Sequence, residues 1–140
     1  MAVLYRTNYI NEAIKWPIYL ITAALGFATL ENTLFLIKPL SLGQNTVGLL
    51  TGGLRFLGST LLHTVSSGIL GVALGISLHL EGFKRKLYPI IGLIFAIALH
   101  SVFNFLIIRN GENDILKVFS FLWVVTIIVM LLFEKVRRMD

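Results

Sequence analysis

The chain has no cysteine, three prolines and few charges, 14% of 140 residues, of which only seven are acidic. Without cysteine there is no disulfide framework, no thiolate nucleophile and no thiolate metal ligand. So few charges, with 56% hydrophobic residues and a mean hydropathy of +0.86, exclude a soluble domain. The composition is that of an integral membrane protein forming one compact transmembrane domain over residues 1–140. Its net charge of +5 would point to nucleic acid in a soluble protein. Here the basic residues gather at the ends of apolar runs, where they set topology, and no nucleic-acid partner is expected. The first dozen residues lack the charged-then-apolar layout of a cleavable signal peptide, so the first span is expected to stay in the mature protein.

What is present is a series of apolar runs interrupted by a handful of polar groups. Four spans are expected at about 16–37, 58–80, 87–108 and 115–133, an all-α membrane protein. Pro17 is tolerable in the first helical turn, and Lys38-Pro39 reads as the end of span one. Thr46–Leu57 is apolar but glycine-rich and too short to cross alone, so it reads as a short re-entrant or interfacial helix before span two. Glu81–Lys86 reads as a basic loop and Arg109–Asp114 as a polar turn. With four spans both termini lie on one side. Arg6, Lys15, Lys84, Arg85, Lys86, Lys135, Arg137 and Arg138 fall there, and Lys38, Arg55, Arg109 and Lys117 fall opposite. That bias puts both termini in the cytoplasm, the membrane then being the plasma membrane.

Within the run Trp16–Ile37 the only acid is Glu31, followed by Asn32. A carboxylate in hydrocarbon costs several kcal/mol unless paired, protonated or facing a polar cavity, so its partners must come from other helices at the same depth. Span two offers the i, i+4 row Arg55, Ser59, His63, Ser67, Gly71, Gly75, polar above and small below. Span three offers Gly92, Ala96, His100, Asn104, again polar at its outer end. One intramembrane histidine or asparagine can serve simply as a bond between helices. A carboxylate, two imidazoles and a carboxamide converging at one depth point to a site: Glu31, His63, His100 and Asn104, with Asn32, Arg55 and Ser67 as candidate substrate contacts. His79 lies about 24 Å from His63 along the same helix and falls outside the set.

Water activation is the chemistry left to such a set. A carboxylate can act as general base, or Glu31, His63 and His100 can hold a divalent metal such as zinc that acidifies its bound water. Residue types alone leave both routes open. Asn104, one turn from His100, is placed to donate to a developing oxyanion or to orient the imidazole.

Three motifs in order carry a resemblance: GFATLEN at Gly26–Asn32 (FxxxEN), Arg55 followed by His63 and a small-residue run to Gly75, and HSVFN at His100–Asn104 (HxxxN). Over about Asn11–Ile108 the chain resembles the PrsW family of intramembrane proteases, within the wider group that includes the CAAX prenyl proteases. The resemblance implies hydrolysis of peptide bonds in transmembrane or membrane-proximal polypeptides, with Glu31, His100 and Asn104 in the active site and His63 in the same cavity. One motif departs. The family's paired-glutamate EExxK helix precedes the FxxxEN helix, whereas Asn11-Glu12-Ala13-Ile14-Lys15 only imitates it. Glu12 lies 19 residues before Glu31, about 28 Å along one helix. The chain is thus expected to begin after that helix, as a truncated product, a degenerate homologue or a core to which a second chain supplies it. Two readings follow: a peptidase core, or a non-catalytic membrane protein that binds a transmembrane helix or an ion in the same cavity.

Overall fold

The computed structural model describes residues 12–43, 45–110 and 115–139, with side chains except at 38–39, 45–55, 107–110 and 115. Four helices follow in order, α1 (Lys15–Ser41), α2 (Asn45–Leu78), α3 (Gly82–Asn110) and α4 (Ile115–Arg137). Each is long and apolar enough to cross a membrane, the spans being Lys15–Ile37, Phe56–Leu78, Gly82–Leu106 and Leu116–Arg137. The protein is an all-α integral membrane protein. Met1–Asn11 and most of the turn expected at Arg109–Asp114 lie outside the described residues.

Three boundaries differ from the sequence reading. α1 runs through Pro39 to Ser41, the proline falling within its last turn, with only two helical residues after it. The chain turns instead at Gly43, whose φ of 71° suits a residue without Cβ. Thr46–Leu57 is not a separate helix but the first part of α2, a single element of 34 residues, about 51 Å long. Glycines in that stretch weaken a helix without breaking it, and the stretch holds no proline to do so. The segment expected as a basic loop lies mostly in the first turn of α3, with Lys84, Arg85 and Lys86 exposed. The actual turn is short, His79 and Leu80 donating backbone bonds to Ile76 and Ser77.

α2 is the centre of the bundle. In its most apolar window 56% of residues are buried, against 17% in each of the other three spans. α1, α3 and α4 all pack on it. Lipid is as apolar as leucine, so little hydrophobic force draws helices together, and close approach and polar contacts must do it instead. Close approach comes from small residues. A methyl at Gly71 would meet Pro17 Cα at 2.3 Å, and one at Gly92 would meet Ala73 Cβ at 2.4 Å, so α1 and α3 can each sit tight on α2 only because those side chains are absent. Leu62 and Val65 of α2, Leu99 and Phe103 of α3, and Val118 and Leu122 of α4 form the main buried cluster. A second joins Ala13, Val72 and Val136, with Ile76 and Leu78 against it. The start of α1, the end of α2 and the end of α4 therefore share one end of the bundle.

Candidate active site

α2 has α1 on one side and α3 on another, and His63 is where the two meet. Glu31, on α1, is one turn beyond Phe27; His63 is one turn beyond Ser59 on α2. Ser59 Oγ donates to Glu31 Oε2 at 3.2 Å, and His63 Nε2 lies 2.6 Å from the same oxygen. With Glu31 ionised, that contact requires the proton on Nε2 and leaves Nδ1 as the acceptor. The edge-on ring of Phe27 lies 5.1 Å from the imidazole, inclined 74°. The His100 ring, from α3, lies 5.1 Å away at 52°. The His63 side chain is 15% exposed and that of Glu31 36%. The acid is half-shielded at the rim and the imidazole is enclosed between it and His100.

Beside the two imidazoles a cleft of about 230 Å³ opens between α2 and α3, lined by His63, Ser66, Ser67, Leu70, Ala96, Ile97 and His100. It runs from the histidines toward the α2–α3 turn. Ser67 is on its wall, as its place in the α2 row implies. Asn32, read as a substrate contact, is instead 5% exposed and donates from Nδ2 to Thr60 Oγ1 at 3.3 Å. It bonds α1 to α2, since neighbouring helical residues point about 100° apart and only Glu31 faces His63. Asn104 follows His100 by one turn but is exposed and not part of the cleft wall. The Arg55 side chain lies outside the described residues. His79 is exposed at the far end of α2.

Ser66 is the polar cleft residue that neither helical face read from the sequence contains. It is 8% exposed, and its Oγ is buried without a hydrogen-bond partner among the described residues. No sequence signal distinguished it from the other helical serines.

A catalytic zinc site takes three protein ligands, and one carboxylate with two imidazoles is a chemically suitable donor set. The arrangement does not meet that requirement. Glu31 and His63 are bonded to each other, His100 stands alongside by its ring, and no three His, Asp or Glu side chains among the described residues are gathered to hold one ion.

In comparison with known proteins, the model of the family described as "PrsW family intramembrane metalloprotease" matches residues 1–133. No curated protein and no solved structure matches the chain.

Proposed function

The chain belongs to the PrsW family of intramembrane metalloproteases, and on that premise we propose that it hydrolyses peptide bonds of transmembrane or membrane-proximal polypeptides at Glu31, His63 and His100. The observation that carries the reading is the 2.6 Å contact of Glu31 Oε2 with His63 Nε2, set against His100 inside the membrane span. The Glu31 carboxylate on Nε2 fixes the His63 tautomer and leaves Nδ1 as the acceptor. His63 Nδ1 takes a proton from water as that water attacks the scissile carbonyl, and Glu31 stabilises the imidazolium. His100 donates to the oxyanion and His63 returns its proton to the leaving amine. Asn104, outside the cleft wall, is given no step. The family name carries a metal, which the present donor geometry does not accommodate, so a chelator arm belongs in the test.

The test is cleavage of a labelled transmembrane peptide by the purified protein in proteoliposomes. Glu31→Gln and His63→Ala abolish cleavage and leave insertion intact. Glu12→Gln, whose carboxylate pairs with Lys15 at 2.9 Å far from the site, changes nothing. Full activity in Glu31→Gln overturns the assignment; loss of activity with chelator returns a metal to the site.

A second reading has one observation in its favour. Glu31 Oε2 is engaged by both Ser59 and His63, as a clasp between helices would be. The cleft would then bind a transmembrane helix or an ion without cutting, and peptide would be retained uncleaved. In either case we place the protein in the plasma membrane with both termini cytoplasmic. In support, the exposed Lys84, Lys86, Lys135 and Arg138 lie at the end shared by the start of α3 and the end of α4.

A further inference from the structure

Three consecutive cations, Lys84, Arg85 and Lys86, stand exposed at the start of α3, and no acid shares its first turn. A helix begins at the positive end of its dipole, so the backbone adds to the repulsion among these cations instead of relieving it. The end of α4 is built the other way. Its cations Lys135 and Arg137 lie in the last turn, where the dipole favours them. Glu134 also takes Arg137 at 2.8 Å and Arg138 at 2.9 Å. Lys84 and Lys86 make no ion pair among the described residues. Basic residues at span ends set topology, but topology asks only for charge on one side of the membrane, not for its place around a helix.

Here the place is specific. Phe83, Leu87, Ile90 and Ile94 follow at i, i+4, i+7 and i+11, and Phe83, Ile90 and Ile94 are 75%, 54% and 58% exposed. Gly92, where α3 meets Ala73 of α2, lies half a turn round from Phe83. The stripe therefore faces lipid. It extends about 16 Å along the helix, the depth of one leaflet in a hydrocarbon core about 30 Å thick. At about 100° per residue, Lys84 stands roughly 100° to one side of Phe83 and Lys86 roughly 60° to the other. Arg85 falls on the far side of the helix. Helical side chains lean toward the N-terminus, here the membrane edge, and lysine stems carry their ammonium groups to headgroup level.

We propose that the start of α3 is a binding site for one anionic phospholipid. Its phosphate sits between Lys84 and Lys86, and an acyl chain lies along Phe83, Leu87, Ile90 and Ile94. The occupant is a lipid because the two cations flank an apolar stripe open to the bilayer, which a free phosphate leaves unused. The site does not depend on whether the protein cuts peptides.

The purified protein in detergent is titrated with dioleoylphosphatidylglycerol, dioleoylphosphatidylcholine or the water-soluble headgroup glycerophosphoglycerol, and bound ligand is counted by native mass spectrometry. One cation at a lipid surface is worth about fivefold in affinity, so wild type should bind the anionic lipid about tenfold more tightly than the zwitterionic one. Lys84→Gln/Lys86→Gln cuts that preference to about twofold, and Lys84→Arg/Lys86→Arg keeps most of it. Phe83→Ala weakens both lipids about threefold and leaves the preference in place. Lys135→Gln/Arg138→Gln removes the same charge from the same end of the bundle, and its preference stays within about twofold of wild type. In a second readout, the anionic lipid raises the unfolding temperature of wild type and of Lys135→Gln/Arg138→Gln, but not of Lys84→Gln/Lys86→Gln. Equal losses in the two glutamine pairs mean a diffuse field and overturn the site. No lipid preference in wild type overturns it too, as does glycerophosphoglycerol bound as tightly as the lipid.

Discussion

Gly71→Ala is the smallest change that reaches the site from a distance. The added methyl would stand 2.3 Å from Pro17 Cα and 2.8 Å from Pro17 N, both backbone atoms that cannot rotate away. To reach 3.4 Å, the near edge of ordinary contact, α1 must move off α2 by about 1.1 Å. Overpacking of this kind costs about 1–3 kcal/mol. If α1 moves as a rigid body, the Glu31–His63 contact opens from 2.6 Å to about 3.7 Å, beyond hydrogen-bond range. Gly71→Ala should therefore lower the unfolding temperature in detergent and reduce peptide cleavage together, although Gly71 touches neither Glu31 nor His63. Gly26→Ala on the same helix is the control. A methyl there meets nothing within 4 Å, so its stability should be unchanged or higher by up to about 1 kcal/mol. A Gly71→Ala protein as stable and as active as Gly26→Ala would refute the close seam between α1 and α2.

Two more outcomes are expected. Asn32→Ala and Thr60→Ala, combined in a double-mutant cycle by denaturant unfolding, should show a coupling of about 0.6–1 kcal/mol, typical of one polar bond between membrane helices; zero coupling removes that bond. Cysteines introduced at Lys84 and Lys135 in this cysteine-free chain should react with an impermeant thiol reagent only from the cytoplasmic side, and labelling of both from outside reverses the proposed topology.

The four spans and the meeting of Glu31, His63 and His100 in the candidate site were readable from spacing. Counting depth along antiparallel helices is enough to bring Glu31, His63 and His100 together, because rise per residue is fixed. Rotation is harder. A row such as Ser59, His63, Ser67 identifies one face of α2, but α2 has neighbours on three sides, and the row alone does not say which neighbour each member meets. Ser59 therefore turned toward Glu31 while Ser67 turned to the cleft with α3. Asn32 turned to Thr60 for the same reason, its neighbour Glu31 taking the face toward His63. Ser66 lay outside the chosen row altogether. The continuity of α2 was missed because glycines were read as a break when they only weaken a helix.

The Glu31 clasp has a consequence for the order in which the protein is made. The acid leaves the ribosome 28 residues before Ser59 and 32 before His63. α1 reaches the bilayer before Ser59 and His63 are made to engage that carboxyl, and an acid deep in the membrane costs about 2.5–3.5 kcal/mol. The remainder of α1, apolar on nearly every side, offsets this. Asn32 waits likewise for Thr60. The hairpin of α1 and α2 is thus the earliest unit in which Glu31 meets Ser59 and His63 and Asn32 meets Thr60, and biogenesis has to carry the first helix until the second arrives.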